Sequence, residues 1–271
     1  KSTVPRALND HYDVNQETKR KVRELALEVD YHPNLLAQHL KQQHTNTIGV
    51  IIPETVNRFF AKAVGGIQHI ANKAGYNVMI CQSNETLALE RNSLTTLLAS
   101  KVDGLLISVS RETDRHDHFQ STIDKEIPIV FFDRIIEALN TSQVHTDNYE
   151  ISFAGTEHLI EQGCKRIAFI AGPQHLYNSR NRLNGYLGAP RKHDFNIVDS
   201  LIVETTYGNT NIEDYTRRLL SLRQRPDAIF AINDMAALEI IHILKKRGLN
   251  VPKDVAVLGF NNETICSLVE P

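Results

Sequence analysis

Lys165-Arg166-Ile167-Ala168-Phe169-Ile170-Ala171-Gly172 restarts, in the second half of the chain, a pattern that residues 47–53 begin in the first half. Both segments are short and nearly continuous apolar runs, and an amphipathic stretch follows each of them. Near-continuous apolar strands that alternate with helices are typical of parallel sheets covered on both faces. The repeat therefore predicts an α/β body made of two parallel-sheet lobes.

The same alternation extends over the rest of the body. Strands are predicted at residues 47–52, 76–81, 104–108, 127–132, 166–171, 201–203, 228–232 and 255–259. Helices are predicted between the strands, for example at residues 60–74, 87–100, 152–162, 212–222 and 235–247. The pattern breaks near residues 146–148, which predicts a crossover there. We therefore assign residues 46–148 to one lobe and residues 149–271 to the other.

A polar leader of residues 1–45 precedes this body and carries three short motifs. Residues 2–9 read Ser-Thr-Val-Pro-Arg-Ala-Leu-Asn, and residues 15–30 have the pattern of a helix that Asn15 would cap. Residues 31–40 read Tyr-His-Pro-Asn-Leu-Leu-Ala-Gln-His-Leu. In this order and spacing they resemble the recognition helix, third helix and hinge of the LacI/GalR family of bacterial transcription regulators. The resemblance continues through the body to Gly-Phe-Asn-Asn at residues 259–262.

The resemblance implies that residues 1–45 hold a helix-turn-helix remnant and a hinge helix that bind double-stranded operator DNA. The second helix of such a motif enters the major groove, and an apolar hinge residue wedges into the minor groove. The residues expected to contact DNA are Lys1, Ser2, Thr3, Arg6, Asn9, Asn34, Ala37, Gln38 and Leu40. Pro5 stands where the family usually has serine, and both ends of the chain resemble cut ends of a longer gene product.

The net charge of −2 at pH 7 gives no global attraction to DNA. Local placement favours it instead, since four cations lie on the first two turns of the helix that follows Asn15: Lys19, Arg20, Lys21 and Arg23. Clustered cations neutralise phosphates whatever the total charge. We therefore expect this cluster to face the DNA backbone.

Composition indicates a soluble globular protein, with 41% apolar and 23% charged residues among 271. No apolar run reaches the length of about 20 residues that crosses a bilayer, and no signal segment precedes the leader. The cysteines, Cys81, Cys164 and Cys266, are odd in number and far apart. They indicate neither a disulfide framework nor a zinc site, so a cytoplasmic protein without membrane contact is expected.

Motifs of common enzymes and cofactor sites are absent from the sequence. It contains no G-x-G-x-x-G, no G-x-x-x-x-G-K-[ST], no H-E-x-x-H and no G-x-S-x-G. His116 and His118 form the one close histidine pair, in a charged stretch that suits solvent better than a metal. We therefore expect no enzymatic activity, no cofactor and no metal.

Polar and aromatic side chains lie in the predicted loops after the strands, residues 178–182 among them, where an open α/β sheet binds ligands. The residues expected to bind a small effector are Phe59, Phe60, Ser110, Asp133, Arg134, Arg182, Tyr207, Asn233, Asp234 and Asn261. Aromatic faces with planar polar groups suit a sugar ring, because the rings pack its C–H face and the polar groups bind its hydroxyls. By resemblance, most of these positions match effector contacts of the family. At Asn261 sugar-binding members often have aspartate.

These features together predict a cytoplasmic, homodimeric regulator whose two-lobe body binds a sugar or sugar phosphate and whose leader binds operator DNA. A periplasmic-type sugar-binding protein of a transporter would share the body and the cleft, but it leaves residues 1–45 without a role. A sugar-processing enzyme on the same scaffold would need a nucleophile, metal or cofactor motif. The sequence upstream of Lys1 would separate the first two, since a helix indicates the regulator and a signal peptide the transport protein.

Overall fold

The computed structural model describes residues 3–8, 10–31, 44–205 and 211–270. The chain divides into two compact units, Lys1–Thr45 and Asn46–Pro271. The described part of the first unit holds helices α1 (Thr3–Leu8) and α2 (Gln16–Glu28). Asn15 caps α2 as predicted, because its Oδ1 accepts a hydrogen bond of 2.8 Å from the amide of Glu17.

One member of the cation cluster of α2, Lys19, differs from the prediction. Lys19 has only 4% of its surface exposed, and its Nζ lies 3.0 Å from the carboxylate of Asp10. Asp10 occupies a left-handed turn, with φ of 56°, that carries its side chain to this position. Lys19 is therefore part of the packing of this unit and does not face a phosphate. Lys21 and Arg23 also pair with carboxylates of the unit, Glu17 at 2.8 Å and Asp10 at 3.2 Å.

The second unit contains two separate parallel sheets, as the repeat predicts. The first sheet consists of β1 (Thr47–Ile52), β2 (Asn77–Gln82), β3 (Gly104–Ile107), β4 (Ile129–Phe132) and β5 (Ser142–Val144). Its strand order is β2-β1-β3-β4-β5, and every pairing is parallel. The helices between these strands are α3 (Arg58–Lys73), α4 (Leu87–Ala99) and α5 (Asp117–Ile123).

The second sheet consists of β6 (Ile167–Ala171), β7 (Ile202–Glu204), β8 (Ala228–Phe230) and β9 (Ala256–Leu258). Its order is β7-β6-β8-β9, again with parallel pairings. The accompanying helices are α6 (Asn148–Glu161), α7 (Tyr177–Lys192), α8 (Ile212–Leu220) and α9 (Asp234–Lys246). All five residues of β6 are buried, which is why its sequence is continuously apolar.

Helix α6 begins at the predicted crossover and belongs to the second lobe. Its contact with α7 depends on Gly185, where an added Cβ would lie 2.2 Å from the carbonyl oxygen of Tyr149. A close approach of this kind tolerates no larger side chain without movement of the backbone. The two helices thus pack backbone against backbone beside the second sheet.

Three local predictions were wrong. Residues 178–182 were assigned to a loop but form the first turns of α7, whose glycines and Pro190 weaken its helical pattern. Strand β5 was missed because Ser-Gln-Val at a sheet edge shows no apolar run. Helix α5 was missed because Asp-His-Phe-Gln-Ser-Thr-Ile has only two turns and one large buried residue, Phe119.

Candidate ligand-binding cleft

A cleft of about 840 Å³ lies between the two lobes, at the carboxyl ends of their strands. This volume is within the range of small-molecule sites. The predicted residues that line the cleft are Phe59, Phe60, Asp133, Arg134, Arg182, Asn233 and Asn261. The structure does not bring Ser110 and Asp234 to its wall, and Tyr207 lies outside the described residues.

Arg182 projects into the cleft from α7 of the second lobe. Its Nε donates to Asn148 Oδ1 and its Nη1 to the carbonyl oxygen of Ile232, both at 2.9 Å. The guanidinium carbon stacks 3.6 Å from the ring centroid of Phe260. Burial lowers the pKa of Arg182 to about 10, so the group stays protonated at neutral pH. Arg182 is thus a cation held by two hydrogen bonds and a ring stack, and its Nη2 makes no hydrogen bond to the described residues.

Asp133 enters the cleft from the first lobe, directly after β4. It has a φ of 58°, and its amide donates to the carbonyl oxygen of Val144 at 2.9 Å. Burial raises the pKa of its carboxyl group, although the nearby Arg134 and Arg182 act in the opposite direction. Among the described residues, no donor makes a hydrogen bond to this carboxylate. Asp133 and Arg182 therefore present opposite charges from the two lobes.

Arg134 is fixed by a carboxylate that the sequence analysis missed. Its Nη1 and Nη2 donate to the two oxygens of Glu85 at 2.7 and 2.9 Å. Burial alone would raise the pKa of Glu85, but Arg134 and the amide of Arg111 hold it below its usual value. The bidentate pair has little residual charge to offer a ligand.

Phe59 and Phe60 start α3 and differ in their surroundings. Phe60 has 2% of its surface exposed and packs with Val50 and Ile52 in the first lobe. Phe59 is half-buried and meets the Phe60 ring edge to face, with centroids 5.2 Å apart. Phe59 is therefore the ring of this pair with more surface available to a ligand.

Asn233 and Asp234 have structural roles at the start of α9. Asn233 is the N-cap, and its Oδ1 accepts from the amide of Ala236 at 2.9 Å. The buried carboxylate of Asp234 accepts from the amides of Phe260, Asn261 and Glu263 at 2.7, 2.9 and 2.6 Å. Asp234 thus holds the loop that presents Asn261 to the cleft.

Ser110 is buried in a polar network beside the cleft wall. Its amide donates to Glu90 Oε2 at 2.6 Å, and its hydroxyl lies 2.8 Å from that of Thr113. The same carboxylate accepts from Thr113 Oγ1 at 2.8 Å and lies 3.0 Å from His118 Nε2. Glu90 has no exposed surface, so this network orders the loop after β3.

One cleft wall was not predicted from the sequence. It is the face of α9 made of Met235, Leu238, Glu239 and His242. These positions are three, four and seven residues apart, which places them on one side of a helix. The spacing of these residues in the sequence could have indicated a helix face toward the cleft. The same spacing also fits a helix that packs on the core, so it did not single out the cleft.

The lobes also touch beside the cleft through the segment that leads into α7. Leu176 of the second lobe has 5% of its surface exposed and joins the apolar cluster of the first lobe around Ile135 and Leu139. His175 Nε2 donates to the carbonyl oxygen of Arg111 at 2.8 Å. The helix that carries Arg182 is therefore anchored on the opposite lobe.

Of the predicted DNA contacts, the structure describes Thr3 and Arg6. Thr3 is exposed on α1, and Arg6 pairs with the carboxylate of Asp13 within the same unit. The others lie outside the described residues, namely Lys1, Ser2, Asn9, Asn34, Ala37, Gln38 and Leu40.

The described residues contain neither a membrane-spanning helix nor a cluster of metal ligands. No helix among them is both long and apolar enough to span a bilayer. No group of three histidine, cysteine, aspartate or glutamate side chains in that part of the chain could hold a metal ion.

Comparison with known families matches both parts of the chain. Residues 45–264 match the family of periplasmic binding proteins and the sugar binding domain of the LacI family. Residues 1–34 match the bacterial regulatory proteins of the lacI family.

Individual relatives agree with these matches. Catabolite control protein A of Priestia megaterium is 32% identical over 271 residues, covering 100% of this chain and 81% of the relative. The complex of the transcriptional regulator CelR with cellobiose is 27% identical, with a TM-score of 0.74 over 99% of this chain and 81% of that one. The lac repressor dimer bound to operator has a TM-score of 0.85 at 24% identity, over 98% and 79% of the two chains, which is a likeness of fold.

Proposed function

Since the chain belongs to the LacI family of bacterial regulatory proteins, we propose that its cleft closes on a sugar-like effector and thereby changes its affinity for operator DNA. It is a ligand-responsive transcription regulator with an α/β effector domain. The proposal adds the residues that perform this function and the way in which ligand binding is communicated.

The observation that carries the proposal is the convergence of Asp133, Arg182 and Asn261 on one cleft. Asp133 comes from the first lobe, and the other two come from the second. A ligand that bonds to both lobes binds the closed arrangement better than an open one. That difference in affinity is the free energy available to shift the DNA-binding equilibrium.

In the DNA-binding unit we propose that Lys1, Ser2, Thr3, Arg6 and Asn9 enter the major groove. Asn34, Ala37, Gln38 and Leu40 would form the minor-groove hinge. The match of residues 1–34 to the lacI regulatory family supports the major-groove residues and Asn34. A homodimer fits a two-half-site operator, and the lac repressor relative is a dimer on its operator.

The alternative of a sugar-binding transport protein explains the body but gives residues 1–34 no role. Their match to a regulatory family favours the regulator. We further propose that the protein acts in the cytoplasm, where its DNA lies, without catalytic activity or a cofactor. The relatives named above support this, since they are regulators of transcription.

The test is Arg182→Ala in the full-length protein, with Arg191→Ala as the matched control. Arg191 lies on the same helix but is exposed and outside the cleft. Removal of Arg182 leaves ligand oxygens without donors, so effector affinity should fall by about 2–4 kcal/mol. Operator binding is measured by fluorescence anisotropy on a duplex selected by the wild-type protein.

In that assay Arg182→Ala should lose the response to a sugar found by thermal-shift screening. It should keep the wild-type affinity for operator without effector, and Arg191→Ala should behave as wild type in both measurements. A wild-type response of the Arg182→Ala variant would show that the effector binds elsewhere.

A further inference from the structure

We propose that the effector is an uncharged, hydroxyl-rich compound, such as an unphosphorylated sugar, rather than a sugar phosphate or a sugar acid. This inference rests on the proposed function and specifies the chemistry of the ligand in the same cleft. Two independent features support it: the balance of charge on the wall and the hydrogen-bond acceptors that the protein leaves unfilled.

The cations of the cleft do not form an anion site. Arg134 donates both of its terminal nitrogens to Glu85, at 2.7 and 2.9 Å. Arg182 uses Nε and Nη1 on protein oxygens at 2.9 Å, stacks on Phe260, and faces the carboxylate of Asp133. Neither guanidinium group therefore offers a bidentate edge to a phosphate.

The remaining charges on the wall do not change this balance. Arg111 is the one further arginine among the described lining residues, and Glu54 and Glu239 line the cleft as carboxylates. Together with Asp133 and with Glu85, which pairs with Arg134, these carboxylates are at least as many as the guanidinium groups of the cleft. A doubly charged phosphate would thus enter a cleft without excess positive charge and would have to lose its hydration there.

The unfilled acceptors require a ligand that donates hydrogen bonds. Asn261 Oδ1 is buried and has no hydrogen-bond partner among the residues that the structure describes. The carboxylate of Asp133 likewise receives no hydrogen bond from the described residues. Asn261 Oδ1 is a buried acceptor without a donor, which is costly, and Asp133 is a half-buried carboxylate on the cleft wall, so the ligand should supply donors to both lobes. Sugar hydroxyls can do so, whereas phosphate and carboxylate oxygens at neutral pH mainly accept.

Arg182 requires a hydrogen-bond acceptor on the ligand. Its Nη2 makes no hydrogen bond to the described residues and can donate to a ligand oxygen. A hydroxyl group both donates and accepts, so neighbouring hydroxyls of one ring can serve Asp133 and Arg182 together. Asn261, from the second lobe, then accepts a hydrogen bond from a third hydroxyl. The arrangement selects adjacent hydroxyls and disfavours a charged substituent at this end of the ligand.

The first experiment compares matched pairs by thermal shift and calorimetry on the full-length protein. The pairs are D-glucose with glucose 6-phosphate, D-ribose with ribose 5-phosphate, and D-fructose with fructose 6-phosphate, and cellobiose and inorganic phosphate are added. We expect at least one neutral sugar to bind, and its phosphate ester to bind at least tenfold more weakly. Arg182→Ala should abolish the neutral signal, which locates it in the cleft.

Each other outcome decides against one of the two proposals. A phosphate ester that binds more tightly than its parent sugar, with loss in Arg182→Ala, overturns the uncharged effector but retains the sugar-responsive cleft. Absence of binding by every compound counts against the sugar-responsive cleft itself. Binding that survives Arg182→Ala places the ligand outside the cleft and also removes the basis of this inference.

A variant series tests the role of Asn261 directly. Asn261→Asp retains an acceptor but adds a charge, so the neutral sugar that binds wild type should lose less than about fivefold in affinity. Asn262→Asp, the exposed neighbour, adds the same charge outside the cleft and serves as the control. A loss above tenfold in Asn261→Asp alone would mean that Asn261 donates to the ligand, and the acceptor argument would be overturned.

Discussion

Asp234→Ala should destabilise the second unit strongly, although Asp234 does not line the cleft. Its carboxylate has 2% exposure and accepts from the amides of Phe260, Asn261 and Glu263 at 2.6 to 2.9 Å. A buried donor that loses its partner costs about 1–3 kcal/mol, so three such donors give about 3–9 kcal/mol. Entry of water through the cleft would place the loss toward the lower end of that range.

The assay is urea unfolding followed by circular dichroism, because the chain contains no tryptophan. Asp254→Ala is the control: Asp254 also accepts from a backbone amide, that of Asn250 at 2.7 Å, but it is exposed to solvent. We expect a clear fall of the midpoint for Asp234→Ala and little change for Asp254→Ala. Asp234→Asn, which retains one acceptor, should lie between wild type and alanine.

The same substitution should weaken effector binding, because the loop that presents Asn261 loses its anchor. Equal midpoints for Asp234→Ala and Asp254→Ala would refute the anchoring role. Normal effector affinity in a clearly destabilised Asp234→Ala variant would separate loop anchoring from ligand binding, and the link drawn between them would be wrong.

The remaining predictions concern the lobe contact, a buried ion pair and the hinge. Leu176→Ala should lower the free energy of unfolding by about 2–4 kcal/mol, as for other buried leucines, and should weaken effector binding in calorimetry. Leu268→Ala, at an exposed site, should change neither quantity. Glu85→Gln should lower the free energy of unfolding at pH 7, measured by urea titration. Because the pKa of Glu85 is held below its usual value, the difference from wild type should persist down to about pH 4.3 and shrink at lower pH. A difference that grows as the pH falls would contradict the pairing of Glu85 with Arg134. Leu40→Ala should weaken operator binding by a few kcal/mol, roughly the cost of the lost wedge and bend, and should leave effector affinity unchanged. If the variant and wild type bind operator equally well at fixed salt, Leu40 is only a linker residue.

Most strands were predictable from the sequence because buried parallel strands are nearly continuous apolar runs. Residues 166–171 were predicted as a strand, and β6 spans Ile167–Ala171 with every residue buried. Short elements without such an apolar run were not predicted. Strand β5 is short and polar and is stabilised by its pairing with β4, so its formation depends on residues that are distant in sequence.

The members of the cleft were partly predictable, since loops after parallel strands converge at one edge. Asp133, Arg182 and Asn261 line the cleft as expected. Ser110 and Asp234 have the residue types of a ligand site, and nothing local in the sequence shows that their polar groups bond to the protein itself. Lys19 shows the same limit, because its partner Asp10 reaches it through a left-handed turn.

The two-lobe α/β class, the cap at Asn15 and the family follow from the residues alone, because each depends on local pattern or on motifs in a set order. Which polar groups are bonded within the protein and which are not depends instead on contacts between distant segments of the chain. The Asp133 carboxylate receives no hydrogen bond from the described residues while that of Asp234 accepts three from backbone amides, and Arg182 lines the cleft with Nη2 unbonded in that part of the chain while Arg134 is paired with Glu85. The reason is physical: a hydrogen bond joins atoms that are neighbours in space, and this spatial pairing is not encoded in the local pattern of residue types.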